Sequence, residues 1–162
     1  MSEKLHNLLK EEQELQFQSF SSKDALQLGL TFISIAEEYG KGGIGIKIER
    51  NRQVLFSHLM DGTMVENEYW YNRKKNVVDR YNHSSAYVEE MFLAQGTTFA
   101  ESGLLNPEEF QAVGGSFPLI IKHVGAVGSI TVCGLTGELD HKICVEGIRR
   151  FLKTVHNAKE AN

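Results

Sequence analysis

The sequence predicts an α+β domain with a mainly antiparallel sheet. Two segments alternate apolar and polar residues as β-hairpins do: Ile44 to His58, with a turn at Asn51-Arg52, and Phe117 to Cys133, with a loop at residues 123–126. Helical periodicity appears before, between and after these hairpins. Two hairpins in separate halves of a chain, each flanked by helices, point to a layered α+β fold.

The first two helices are predicted from apolar spacing and capping residues. Leucines between Leu5 and Leu15 indicate an amphipathic helix in an N-terminal extension over residues 1–20. Ser21 and Asp24 have the spacing of a capping box for a second helix, from about Lys23 to Tyr39. Its predicted buried stripe is Leu26, Leu30, Ile33 and Ala36.

Three further helices are predicted in the rest of the chain. One covers Glu66 to Tyr81 and carries Trp70 and Lys74 on the same face. Another begins at Ser84-Ser85. The last is expected to be capped by Asp140 and to bury a stripe that runs from Cys144 to Val155.

Length and composition place the chain among compact, water-soluble proteins. Its 162 residues suit one domain, 1–162, and the balance of 41% apolar and 23% charged residues is ordinary for a globular protein. The apolar runs are too short for a membrane span, and the charged N-terminus lacks the apolar region of a secretory signal. We therefore expect a cytoplasmic protein that does not associate with membranes.

Charge and cysteine content restrict the possible partners. The net charge of −4 gives no electrostatic reason to expect nucleic-acid binding. Cys133 and Cys144 are the only cysteines, and each lies in an apolar segment. They are predicted to be buried, reduced thiols rather than a disulfide or part of a zinc site.

Two glycine-rich segments resemble catalytic or cofactor motifs only superficially. Residues 40–45 fit G-x-G-x-x-G, but they follow a helix and precede a strand, which is the reverse of the order that dinucleotide binding requires. Ser116 in Gly114-Gly115-Ser116-Phe117-Pro118 precedes a strand instead of a helix, so a nucleophile elbow is not expected. Both segments are predicted to be turns.

The candidate site residues come from several segments. None of the six histidines belongs to an H-x-H or H-E-x-x-H pattern, so no metal site is assigned. If the first hairpin packs on the Trp70 helix, His58, Trp70, Arg73 and Lys74 can line one cavity. Alternatively, the Lys74 stem lies on the core while its ammonium reaches water. His141 is predicted near a helix N-terminus, where a neutral imidazole is favoured.

A family resemblance unites these segments across nearly the whole chain. Its motifs are Asp61-Gly62-Thr63, Trp70 with residues 73–78, residues 114–118, residues 128–135 and Asp140-His141. Together with His58, Asn67 and Ser84-Ser85, they resemble the uncharacterised branch of the HbpS/GlcG-like proteins. Members of this branch often have a histidine before the paired glycines, where this chain has Val113, so no role of that histidine carries over.

The resemblance implies a profilin-like α/β/α layer domain that assembles into dimers or larger rings. Some relatives bind heme, which implies a possible heme or tetrapyrrole ligand here. The expected ligand-binding residues are His58, Trp70, Arg73, Lys74, Asp140 and His141. Two alternatives are a structural or adaptor protein that acts through its oligomeric surface, and a heme-degrading enzyme.

Overall fold

The computed structural model describes residues 1–40 and 42–161, so that Lys41 and Asn162 lie outside the described residues. Helices and β-hairpins alternate along this part of the chain as the sequence predicts. The elements are α1 (Glu3–Glu14), α2 (Ser22–Tyr39), β1 (Gly45–Arg50), β2 (Gln53–Leu59), α3 (Glu66–Tyr81), α4 (Ser85–Ala94), α5 (Phe99–Ser102), β3 (Ser116–Ile121), β4 (Gly125–Cys133) and α6 (Gly137–Glu160).

The four strands form one antiparallel sheet in the order β2-β1-β4-β3. The β1–β2 turn places Asn51 and Arg52 at positive φ, 50° and 67°, as a tight hairpin turn requires. Helices α2 and α6 pack on one face of the sheet, and α3 packs on the other. The predicted α+β class and the three-layer arrangement are confirmed.

The main core lies between the sheet and the α2–α6 pair. Phe32, Ile46, Ile130 and Ile148 are at most 2% exposed there. Burying each such side chain contributes roughly 1.5–3 kcal/mol relative to leaving it in water. The packing of α2 and α6 therefore stabilises the sheet, and α3 packs against the opposite face of that sheet.

The N-terminal segment is only partly helical. Helix α1 ends at Glu14 and packs on α4, and the chain then becomes extended. The Phe17 amide donates to the Ile120 carbonyl (2.8 Å), and the Lys122 amide donates to the Phe17 carbonyl (2.9 Å). The segment thus covers the outer edge of β3, and the buried Phe17 side chain joins the core.

Two local predictions were wrong. Leu26 and Leu30 are 48% and 50% exposed, because α2 packs through a neighbouring face on which Gly29 admits the Phe56 ring. Asp140 does not cap α6: Thr136 does, accepting a hydrogen bond from the Leu139 amide. The Asp140 side chain instead turns inward from the first turn of the helix.

The glycine-rich segments behave as turns. Gly40 ends α2 in the left-handed conformation (φ 61°), and β1 begins at Gly45, although Lys41 lies outside the description. Ser116 is fully buried, with its hydroxyl 2.7 Å from that of Thr131.

Among residues 1–40 and 42–161, every helix is too short or too polar to cross a bilayer.

Candidate functional site

A cavity of about 330 Å³ opens between α3 and the C-terminal end of β4. Helix α3 contributes Asn67, Trp70 and Lys74, because positions three and four apart share one helix face. The β4 end contributes Cys133, and the first turn of α6 contributes Asp140. The remaining lining residues are Gly43, Gly62, Met64, Glu66, Val113, Gly134 and Leu135.

A buried ion pair forms part of the cavity wall. Lys74 Nζ lies 2.8 Å from Asp140 Oδ2, and the two side chains are only 4% and 0% exposed. Burial raises the pKa of Asp140, whereas the nearby Lys74 ammonium and the Leu135 amide oppose that rise. The Leu135 amide donates to Asp140 Oδ1 (3.1 Å), and the positive end of α6 also stabilises the carboxylate.

The paired glycines let the chain pass close to this ion pair. At Gly115 (φ 130°), a Cβ atom would lie 2.4 Å from the Val132 carbonyl oxygen and 2.9 Å from Lys74 Nζ. At Gly114, a Cβ atom would lie 2.4 Å from the Gly137 carbonyl oxygen. Side chains at either position would therefore displace β4, Lys74 or the start of α6.

Three of the six predicted site residues meet in this cavity: Trp70, Lys74 and Asp140. Arg73 lies beside it, with its guanidinium carbon 5.0 Å from the Trp70 ring centroid and a 3.0 Å contact from Nη1 to Glu66. The alternative in which the Lys74 ammonium reaches water does not hold, because that ammonium is buried against Asp140.

His141 lines a different cavity, of about 570 Å³, which shares Val113 with the first. This second cavity is bordered by α1, α4 and the start of α6. His141 Nε2 lies 2.8 Å from Glu11 Oε2, and its Nδ1 is buried with no hydrogen-bond partner among the described residues. Asp140 and His141 are therefore adjacent in sequence, but their side chains line two different cavities.

The structure does not bring His58 to either cavity. His58 pairs with Ile46 across the β1–β2 ladder, and paired residues point to the same face of a sheet. Ile46 belongs to the core beneath α2 and α6, so His58 lies on the face opposite α3. It is exposed because β2 is an edge strand.

Cys133 and Asn67 are cavity residues that the site prediction did not include. The Cys133 thiol donates to the Asn67 carbonyl oxygen (3.5 Å), and burial raises the pKa of that thiol. The alternation of residues along β4 could have indicated the position of Cys133. Thr131 and Cys133 lie on one face of the strand, opposite the face that carries Ile130 and Val132.

Fold and cavity define an α+β layer domain with a pocket at one end of its sheet. Residues 20–149 match the family model described as "Haem degrading protein HbpS-like", so the chain belongs to this family. It is 40% identical over 145 residues to a UPF0303 protein of Streptomyces coelicolor, covering 90% of this chain and 91% of the relative.

Solved structures share this fold. The Ybr137w protein superposes with a TM-score of 0.85 at 24% identity, over 96% of this chain and 91% of the other. A PduOC:heme complex superposes with a TM-score of 0.67 at 14% identity, over 81% of this chain and 94% of the other. At such identities, these likenesses establish the architecture alone.

Proposed function

We propose that this chain binds a small ligand in the cavity lined by Trp70, Lys74 and Asp140, and that heme or a related tetrapyrrole is its first candidate ligand. The observation that carries the proposal is a charged pair buried in the wall of an open cavity. Removing two charges from water costs several kcal/mol, and apolar residues often replace such pairs without loss of stability. A role in ligand binding therefore explains the Lys74–Asp140 ion pair better than a contribution to stability does.

The lining residues support a ligand with an apolar body. Trp70, Val113 and Leu135 provide apolar surface, and Lys74 and Asn67 provide polar groups. A few polar groups within an apolar lining are typical of small-molecule pockets, and about 330 Å³ lies at the lower end of their size range. The cavity therefore suits a small ligand or one edge of a larger ring.

Heme enters as a candidate through the family and through the heme complex of PduOC. The residues of this cavity suit the apolar ring but not the iron. Its described lining contains no histidine, and its sulfur atoms belong to Met64 and to the buried, protonated Cys133. We therefore expect metal-free protoporphyrin IX to bind about as well as heme.

A heme titration of the purified protein tests the proposal. The expected result is a saturable shift of the Soret band, a higher melting temperature, and a similar rise in melting temperature with metal-free protoporphyrin IX. The matched control is His58→Ala, which should behave as the wild type because His58 lies on the opposite face. A Soret band that stays unshifted, with no thermal protection, would contradict the heme assignment.

The same sample tests heme degradation, the activity in the family description. Ascorbate is added in air to the heme-loaded protein. A progressive loss of the bound heme spectrum, faster than that of free heme, would support an enzyme. An unchanged spectrum would restrict the function to binding.

A second candidate function is that of an oligomeric structural or adaptor protein. It is supported by exposed apolar side chains on α2. Leu26 and Leu30 are about half exposed, at 48% and 50%. Helix α2 packs against β2, whose outer edge is unpaired within the described chain. We propose that this edge, hereafter the α2–β2 edge, joins copies of the chain into a dimer or a larger ring.

A further inference from the structure

We propose that Lys74 binds a carboxylate of the ligand, so that the ligands of this cavity are flat, largely apolar carboxylic acids. The inference rests on the proposed function, because it assigns a chemical class to the ligand of the same cavity.

The Lys74 ammonium has unused hydrogen-bonding capacity. An ammonium carries three N–H donors, and Asp140 Oδ2 is its only hydrogen-bond acceptor among the described residues. The Lys74 side chain is 4% exposed and borders the cavity, so an acceptor for its other donors has to come from the cavity. Buried donors without acceptors are costly, which favours an acceptor supplied from within the cavity.

The local charge favours an anionic acceptor. Asp140 offsets the charge of Lys74, but the Leu135 amide and the positive end of α6 also stabilise that carboxylate. Lys74 is therefore not the only group that stabilises the Asp140 carboxylate, and Glu89 is a further carboxylate within electrostatic range of Lys74. Glu66 also lines the cavity, but its carboxylate contacts Arg73 Nη1 at 3.0 Å.

The nature of the wall restricts the ligand further. Trp70 lies one helical turn before Lys74 and lines the same cavity. Aromatic walls favour flat apolar bodies. A carboxylate attached to such a body can reach Lys74 while the body packs on Trp70, whereas inorganic phosphate has no apolar body to pack there.

Calorimetric titration with 2-naphthoate and its uncharged analogue 2-naphthamide tests the inference. The wild type should bind the acid about tenfold more tightly, or better, since a hydrogen bond between charged groups discriminates by that order. In the double variant Lys74→Met/Asp140→Leu, the two affinities should agree within about twofold. The double variant avoids an unpaired buried carboxylate, and thermal melting verifies that it folds.

Lys75→Met is the matched control. Lys75 is the next residue along α3 but contacts Glu49 and Asp79 outside the cavity, so it should retain the preference for the acid. Equal binding of both probes by the wild type, or a preference that persists in the double variant, would overturn the carboxylate assignment alone. If neither probe binds and heme gives no thermal protection, the proposed function fails as well. Tighter binding of inorganic phosphate than of acetate would also overturn the carboxylate assignment.

Discussion

Lys74 and Asp140 lie 66 residues apart in sequence, yet their charged groups meet at 2.8 Å in the cavity wall. The pair joins α3 to the start of α6 across the end of the sheet. The two helices lie in different layers, so the pair couples the geometry of the cavity to the packing of the whole domain.

Breaking this pair should cost more stability than removing it. Lys74→Met leaves Asp140 buried without its cation, and we expect a loss of about 3–5 kcal/mol in the free energy of unfolding. Lys74→Met/Asp140→Leu removes both charges and should fall much closer to the wild type. Urea denaturation measures both variants. If Lys74→Met were as stable as the double variant, this result would contradict a buried ion pair between Lys74 and Asp140.

Gly115 should be the less replaceable of two glycines that both have a large positive φ. Gly115→Ala combines a positive φ with a Cβ clash against the Val132 carbonyl, so we expect a loss of at least about 2 kcal/mol. Gly125→Ala is the control, because Gly125 has φ 112° and no atom within 4 Å of the Cβ position. In Gly125→Ala, the free energy of unfolding should fall only by the amount that the strained backbone costs. Equal losses in denaturation experiments would argue against the close approach at Gly115.

His83 should make the stability of the protein depend on pH near neutrality. Its Nδ1 lies 2.6 Å from the buried carboxylate of Glu12, and this hydrogen bond raises the pKa of His83 above its usual 6.5. The folded state therefore holds the proton more tightly than the unfolded state. This contribution is complete below pH 6.5 and is lost as the pH rises through the higher folded-state pKa.

Melting temperatures between about pH 5.5 and 8.5 test this prediction. His83→Gln should reduce the pH dependence in that window, whereas His156→Gln should retain it, because the His156 side chain is 70% exposed. Identical pH profiles for the wild type and His83→Gln would contradict the prediction.

The α2–β2 edge should control assembly. Leu30→Glu places a charge on this edge and should lower the molar mass measured by light scattering if the edge joins copies of the chain. Leu93→Glu is the control, since Leu93 on α4 is similarly exposed at 47% but lies elsewhere. A mass that is unchanged in Leu30→Glu, or equally lowered in both variants, would exclude this edge as the contact.

Local sequence signals predicted most of the helices and strands, but not how these elements pack against one another. Helix and strand boundaries follow from periodicity and caps, such as the Ser21–Asp24 capping box, which forms as expected. His58 could not be placed from its hairpin alone, because the packing of α3 decides which sheet face borders the cavity. Both Thr136 and Asp140 are residue types that cap helices, and only the contact with distant Lys74 distinguishes their roles.

The central claim, that the Trp70 cavity is the ligand site, has a direct spectroscopic test. Trp70 is the only tryptophan in the chain, so 5-fluorotryptophan labelling gives one ¹⁹F resonance that belongs to the cavity. Titration with diamagnetic, metal-free protoporphyrin IX should shift this resonance saturably, in step with thermal protection. Binding that protects the protein from unfolding while the Trp70 resonance stays unmoved would contradict the claim and place the ligand elsewhere.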